Sequence, residues 1–220
     1  IAIGPSALKL LPAGDENDAI VAIGSGALSS QATNDIRYFV AIGHHAMKDY
    51  NYAATNSGST AVGAFAMQNV TTGDRNVAFG KNSLNDCTTG SYNSTFGTYT
   101  GQEITTGSHN TLVGMYAGRN ITTGHDNVTI GSDAGDNITT GTGNIVIGRS
   151  ADASAANASY EVTIGSSSIT KFRVPGINFT VKDTTATENY VLTVDANGEA
   201  GWEAAAGGGI DSDSENNTVA

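Results

Sequence analysis

The feature that most constrains this chain is a set of five short runs, each 17 residues after the last: Asn76-Val-Ala-Phe-Gly80, Asn93-Ser-Thr-Phe-Gly97, Asn110-Thr-Leu-Val-Gly114, Asn127-Val-Thr-Ile-Gly131 and Asn144-Ile-Val-Ile-Gly148. A second ladder, Thr71-Thr-Gly73, Thr88-Thr-Gly90, Thr105-Thr-Gly107, Thr122-Thr-Gly124 and Thr139-Thr-Gly141, keeps the same period. Two ladders with one period imply a repeat architecture, in which each unit is stable only when stacked on its neighbours. The glycine extends outward as Gly4, Gly24, Gly43, Gly63 and Gly165. The early intervals of 20, 19 and 20 residues place longer corner loops at 12–18, 32–37 and 52–58.

Each repeat position suggests a role. The residue before the glycine (Ile3, Ile23, Ile42, Val62, Phe79, Phe96, Val113, Ile130, Ile147, Ile164) and the one two places earlier alternate as one strand face, and their size predicts that this face points inward. The glycine ends the strand, through a positive φ or a close approach of the next rung. Four places after it, Leu8, Leu28, Met47, Met67 and Leu84 give way to Gly101, Gly118 and Gly135. Seven places after it, Val70, Cys87, Ile104, Ile121 and Ile138 mark a second inward position, expected on a second short strand. The Asn column predicts an amide ladder, each side chain donating to the next rung. The fold expected is therefore all-β, a parallel β-roll or β-solenoid of about ten rungs. At about 4.8 Å per rung it spans roughly 45 Å.

Composition narrows the function. With 28 Gly and 3 Pro, but no Gly-X-Y period, collagen is excluded. The net charge of −11 argues against nucleic acid and against docking on an anionic membrane. One cysteine, Cys87, leaves no intrachain disulfide and no Cys-based zinc site. No apolar run is long enough for a membrane-spanning helix, so no membrane insertion is expected.

The pattern fades after Gly148, and three domains are read: the repeat array at 1–165, a small three-stranded β module at 166–203, and a Gly-rich linker with the start of a further repeat at 204–220. The module's strands are read around Phe172 and Val174, around Ile177, Phe179 and Val181, and around Tyr190, Leu192 and Val194, with Trp202 following a turn. Entry inside a strand motif and exit at a new repeat suggest a window on a longer protein.

The Asn-x-x-Ile/Phe-Gly run, followed by Ala-Leu and Thr-Thr-Gly, resembles the repeats of bacteriophage tail fibres. Asn76-Val-Ala-Phe-Gly80 is also similar to the coil motif of trimeric autotransporter adhesin heads, and the segment from Tyr190 to Trp202 is similar to a small module of phage fibres. The resemblance implies a left-handed roll and a fibrous homotrimer located in the virion tail fibre, with other tail or baseplate proteins as neighbours. It further implies attachment to a host-cell polysaccharide or protein. The expected function is a structural fibre segment without catalysis and without cofactors. The alternatives are a bacterial cell-surface adhesin and, further off, a polysaccharide-degrading tailspike. An ice-binding solenoid ranks last, because the Thr pairs end in Gly at a turn.

The ladder residues Asn76, Asn93, Asn110, Asn127 and Asn144, with Gly80, Gly97, Gly114, Gly131 and Gly148, are the structural site. No catalytic, cofactor or metal residues are assigned. Cys87 shares a column with isoleucines and reads as a buried small hydrophobe. His44 and His45 follow a strand glycine, and His109 and His125 lie in or beside a variable column, so these read as solvated corners. Glu103, Asp133 and Asp136 fall at different repeat positions, unlike the paired carboxylates of a glycoside hydrolase. Asp211-Ser-Asp213-Ser-Glu215 lacks the central glycine of a calcium loop.

Overall fold

A computed structural model describes residues 1–9, 19–29, 38–50 and 58–171, and the backbone of two later strands. Two units are distinguished, Ile1–Lys171 and Phe172–Ala220. The first contains ten short strands: β1 (Ala2–Ile3), β2 (Val21–Ile23), β3 (Val40–Ile42), β4 (Thr60–Val62), β5 (Val77–Phe79), β6 (Ser94–Phe96), β7 (Thr111–Val113), β8 (Val128–Ile130), β9 (Ile145–Ile147) and β10 (Val162–Ile164). They form one sheet in strict chain order, every pair parallel, with equivalent repeat positions facing each other, as in Ala78↔Thr95 and Leu112↔Thr129. This is a parallel β-solenoid with no helix among the described residues.

The strand faces the opposite way from the sequence expectation. From β2 to β9 the middle residue of each strand is buried: Ala22, Ala41, Ala61, Ala78, Thr95, Leu112, Thr129 and Val146 are all at 0% exposure. The larger flanking residues point outward; Phe96 keeps 42% and Ile130 40% of its surface. A coil of 17 residues encloses too narrow an interior for two large side chains from a three-residue strand. The interior therefore takes only the middle side chain of each strand, and size alone misled the inward assignment.

Volume is balanced inside each coil. Where the middle residue is Ala, the position four after the glycine is Leu28, Met47, Met67 or Leu84, all fully buried. Where the middle residue is Thr95, Leu112 or Thr129, that position is Gly101, Gly118 or Gly135, and the seventh position is Ile104, Ile121 or Ile138. A Cβ on Gly101 would lie 2.8 Å from Leu112 Cδ1 and 3.0 Å from Ile104 Cδ1. The switch noted in sequence thus moves bulk from the fourth position after the glycine to the strand's middle residue and the seventh position, so that the interior stays filled, as close packing requires.

The second inward column is buried as expected but carries no strand. Around it the backbone bends, and the amides of Thr71, Thr72 and Gly73 converge on one carbonyl, Thr88 O, at 2.9, 3.0 and 3.2 Å. The same convergence recurs at Thr105 O. The first threonine of each pair also donates its hydroxyl there, as Thr71 Oγ1 to Thr88 O at 2.9 Å.

Sharp corners come from left-handed residues, many of them not glycine. Two residues after the glycine lie His45 (φ 54), Phe65 (φ 61), Tyr99 (φ 58) and Tyr116 (φ 61). Just before the Asn column lie Arg75 (φ 52), Tyr92 (φ 60) and His109 (φ 60). Each costs about 1 kcal/mol in isolation, and stacking of identical corners holds them there. At the strand-ending glycine no other residue fits: at Gly114 (φ 132) a Cβ would lie 2.4 Å from Gly131 O.

In the second unit, β11 (Tyr190–Val194) pairs antiparallel with β12 (Ala200–Ala204), Leu192 opposite Trp202. The two further strands expected near Phe172–Val174 and Ile177–Val181 lie outside the described residues, as do 204–220 beyond β12, nearly all of the three long loops, and the acidic stretch near Asp211.

Candidate functional site

Two columns of ten outward positions build one continuous surface. Column one reads Ile1, Val21, Val40, Thr60, Val77, Ser94, Thr111, Val128, Ile145, Val162; column three reads Ile3, Ile23, Ile42, Val62, Phe79, Phe96, Val113, Ile130, Ile147, Ile164. Neither column contains a charged residue, in a chain of net charge −11. Phe79 and Phe96 stack at 5.4 Å with planes 10° apart. Monomeric soluble proteins rarely leave a contiguous apolar face of this length in water.

Behind this face runs the amide ladder. Asn93 Nδ2 donates to Asn76 Oδ1 (3.2 Å) and to Gly107 O (2.9 Å), while Asn93 N donates to Asn76 Oδ1 (2.9 Å). Asn110, Asn127 and Asn144 repeat this pattern. The amide-to-amide donation therefore runs back to the preceding rung, while the same Nδ2 also donates forward to the next one. The forward bond goes to the Thr-Thr-Gly carbonyl, which couples the two sequence ladders. At the start Ser59 Oγ accepts from Asn76 N (3.1 Å), and at the end Glu161 N donates to Asn144 Oδ1 (3.0 Å). One rung earlier Phe39 occupies the amide's place and packs on Tyr50 at 4.9 Å.

Two side-chain stacks occupy the corners. Lys81 lies over Tyr99, Tyr99 stacks on Tyr116 at 5.3 Å, and the Arg119 guanidinium sits 5.2 Å from the Tyr116 ring. On the other corner Arg75 contacts Tyr92, whose ring lies 4.9 Å from His109. The ring faces are covered by neighbouring rungs, so they offer edges rather than flat platforms to a ligand.

The remaining candidates are dispersed. His44 and His45 stack at 3.9 Å beside Phe65, and burial together with the neighbouring His44 holds the His45 imidazole below its ordinary value. His125 pairs with Asp126 at 2.8 Å. Among the described residues no three metal-ligating side chains cluster. Asp136 lies 3.6 Å from Arg119 and Asp133 accepts from Ser132, while Glu103 stands on a different rung. Cys87 is fully buried, and desolvation pushes its thiol up to about 12, with a backbone hydrogen bond at Gly90 opposing this. What sequence reasoning missed was the outward strand face, and the signal for it was the small central residue of Val21-Ala-Ile23, Val40-Ala-Ile42 and Thr60-Ala-Val62.

No protein family, curated protein or solved structure matches this chain.

Proposed function

We propose that this chain is a non-catalytic structural segment of an attachment fibre, of the phage tail-fibre kind, that works as a homotrimeric shaft supporting host-receptor attachment. The observation that carries this reading is the charge-free apolar strand face. A face of large residues turned outward over ten rungs needs a cover, and copies of the same chain meeting on a common axis cover it along its whole length. The solenoid behind it suits a shaft, since the backbone amides and carbonyls of each rung pair with the rungs above and below, and contacts between rungs resist bending.

Sedimentation equilibrium of the purified chain at micromolar concentration is expected to give three times the chain mass. A stable monomer would sink the reading. Antibodies raised against the chain are expected to decorate virion tails in electron micrographs. Decoration of bacterial envelopes instead would move the assignment to a surface adhesin.

A further inference from the structure

Between the ninth and tenth coils the corner after the strand breaks its pattern. From the first coil to the ninth, the residue two places after the glycine is left-handed, as in Tyr116 (φ 61), Asp133 (φ 56) and Ser150 (φ 52). From the second coil on, its amide also donates to the preceding coil, as Asp133 N to Met115 O (2.9 Å) and Ser150 N to Ser132 O (2.9 Å). Ser167, the equivalent residue of the tenth coil, has neither feature. The turn there slips by one residue: Ile169 N donates to Ser166 O (2.9 Å), where one coil earlier Ala151 N donates to Gly148 O (3.2 Å). Among the described residues Arg149 O therefore lacks the partner that Ser132 O has. The divergence opens a cleft of about 440 Å³, lined by Arg149, Ser150, Ser166, Ser168, Ile169 and the two corner glycines. Small-molecule sites occupy roughly 300–1,000 Å³.

We propose that this cleft binds a sugar acid, with its carboxylate on the Arg149 guanidinium and its hydroxyls on Ser150, Ser166 and Ser168. Arg149 is the one charged side chain in the lining. In a chain of net charge −11 its guanidinium has no ion pair among the described residues. Two acids of the adjoining corners are engaged elsewhere: Asp152 Oδ1 accepts from Asn137 N (3.3 Å) and Asp133 Oδ2 from Ser132 Oγ (2.8 Å). A guanidinium presents a planar fork that pairs with both oxygens of a carboxylate. Ser166 Oγ accepts from Ser168 N at 3.4 Å, and the Ser150 and Ser168 hydroxyls have no partner among the described residues. Serine hydroxyls both donate and accept, which suits a polyhydroxylated ligand, and the Arg149 carbonyl is a further acceptor. Ile169 folds back over Gly165, where a Cβ would lie 2.4 Å from its Cγ1, and offers an apolar contact to a sugar ring. A bare oxyanion would leave most of the volume and the serines unused, and a neutral sugar would leave the guanidinium unpaired. The inference goes beyond the shaft reading and does not depend on it, since the cleft is built within one chain and lies outside the two apolar columns.

The test is isothermal titration calorimetry of the full chain at low ionic strength with D-glucuronate, D-glucose and acetate. Glucuronate is expected to bind once per chain with a dissociation constant of about 1 mM, roughly tenfold tighter than glucose or acetate. Arg149→Gln is expected to weaken glucuronate binding about tenfold or more, and Ser168→Ala about threefold. Lys9→Gln removes a cation from the other end of the array and is expected to change nothing. Circular dichroism of each variant checks that the solenoid persists, which substitutions at these exposed positions allow. Acetate bound as tightly as glucuronate would make the cleft an anion site only and overturn the sugar assignment. Equal weakening by Lys9→Gln and Arg149→Gln would trace the binding to diffuse charge and overturn the site, as would a parent chain that shows no saturable binding. None of these results bears on self-assembly. Conversely, a monomeric chain that binds glucuronate through Arg149 overturns the trimeric shaft and leaves the cleft standing.

Discussion

At the residue scale the structure depends on side chains that bond in two directions. Asn110 Nδ2 donates to Asn93 Oδ1 (3.0 Å) and to Gly124 O (3.0 Å), and its Oδ1 accepts from Asn127 N (3.0 Å) and Nδ2 (3.1 Å). Asn110→Ala strands these partners in a dry interior, so a loss of about 3 kcal/mol is expected in urea denaturation. Asn144→Ala, nearer the array's end, should cost less. Cys87 gives a second prediction at this scale: burial and a thiol held near 12 should leave it unlabelled by a thiol reagent at pH 8 until the chain is unfolded. Asp136 gives a third. Burial raises its carboxyl above the ordinary 3.8, with Asp133 and Asp152 adding to this and Arg119 opposing it. A raised folded value means that its contribution is fully present below the unfolded value and is lost as pH rises through the folded one. Asp136→Asn should therefore compare more favourably with the parent at pH 7 than at pH 3 in paired denaturation curves.

At the scale of the element, the decisive unit is a coil with one three-residue strand and three left-handed corners. The strand-ending glycine is its least replaceable position. Gly114→Ala would force a Cβ to 2.4 Å from Gly131 O, at a φ that disfavours any side chain. A loss of about 3 kcal/mol is expected, read as a lowered melting temperature. The coil's period, strand positions and glycine column were legible in sequence because backbone geometry fixes them. The strand's facing was not, because it depends on how much room a 17-residue coil encloses, which is a property of the closed coil. The second side was read as a strand because Val70, Ile104 and Ile121 are buried β-formers. Convergence of three amides on one carbonyl satisfies the same groups without extended backbone. The left-handed corners at His45, Phe65, Tyr99 and Arg75 were likewise hidden, since nothing in a single tyrosine or arginine announces a positive φ.

At the scale of the whole molecule, the outward apolar columns set what assembly must do. Ile130→Asp puts three carboxylates into one layer of the proposed trimer, and it is expected to give monomer or soluble aggregate in sedimentation while the coil keeps its circular dichroism spectrum. A trimer that survives this change would mean that the face lies away from the axis. The candidate site was half legible. The residues that form the face were the ones singled out by alternation, but they were assigned to the chain's own interior, when they are free to serve as the core of an assembly.

The rung-to-rung contacts are also a statement about heredity. Most bonds in the array join one rung to the adjacent rung, at or beside the equivalent repeat position, so a repeat gained or lost by in-frame recombination leaves the kind of partner each neighbour meets unchanged. Each such event alters the length of the array by about 4.8 Å. The chain is thus a ruler whose graduations are written in its gene, able to lengthen or shorten without a new fold.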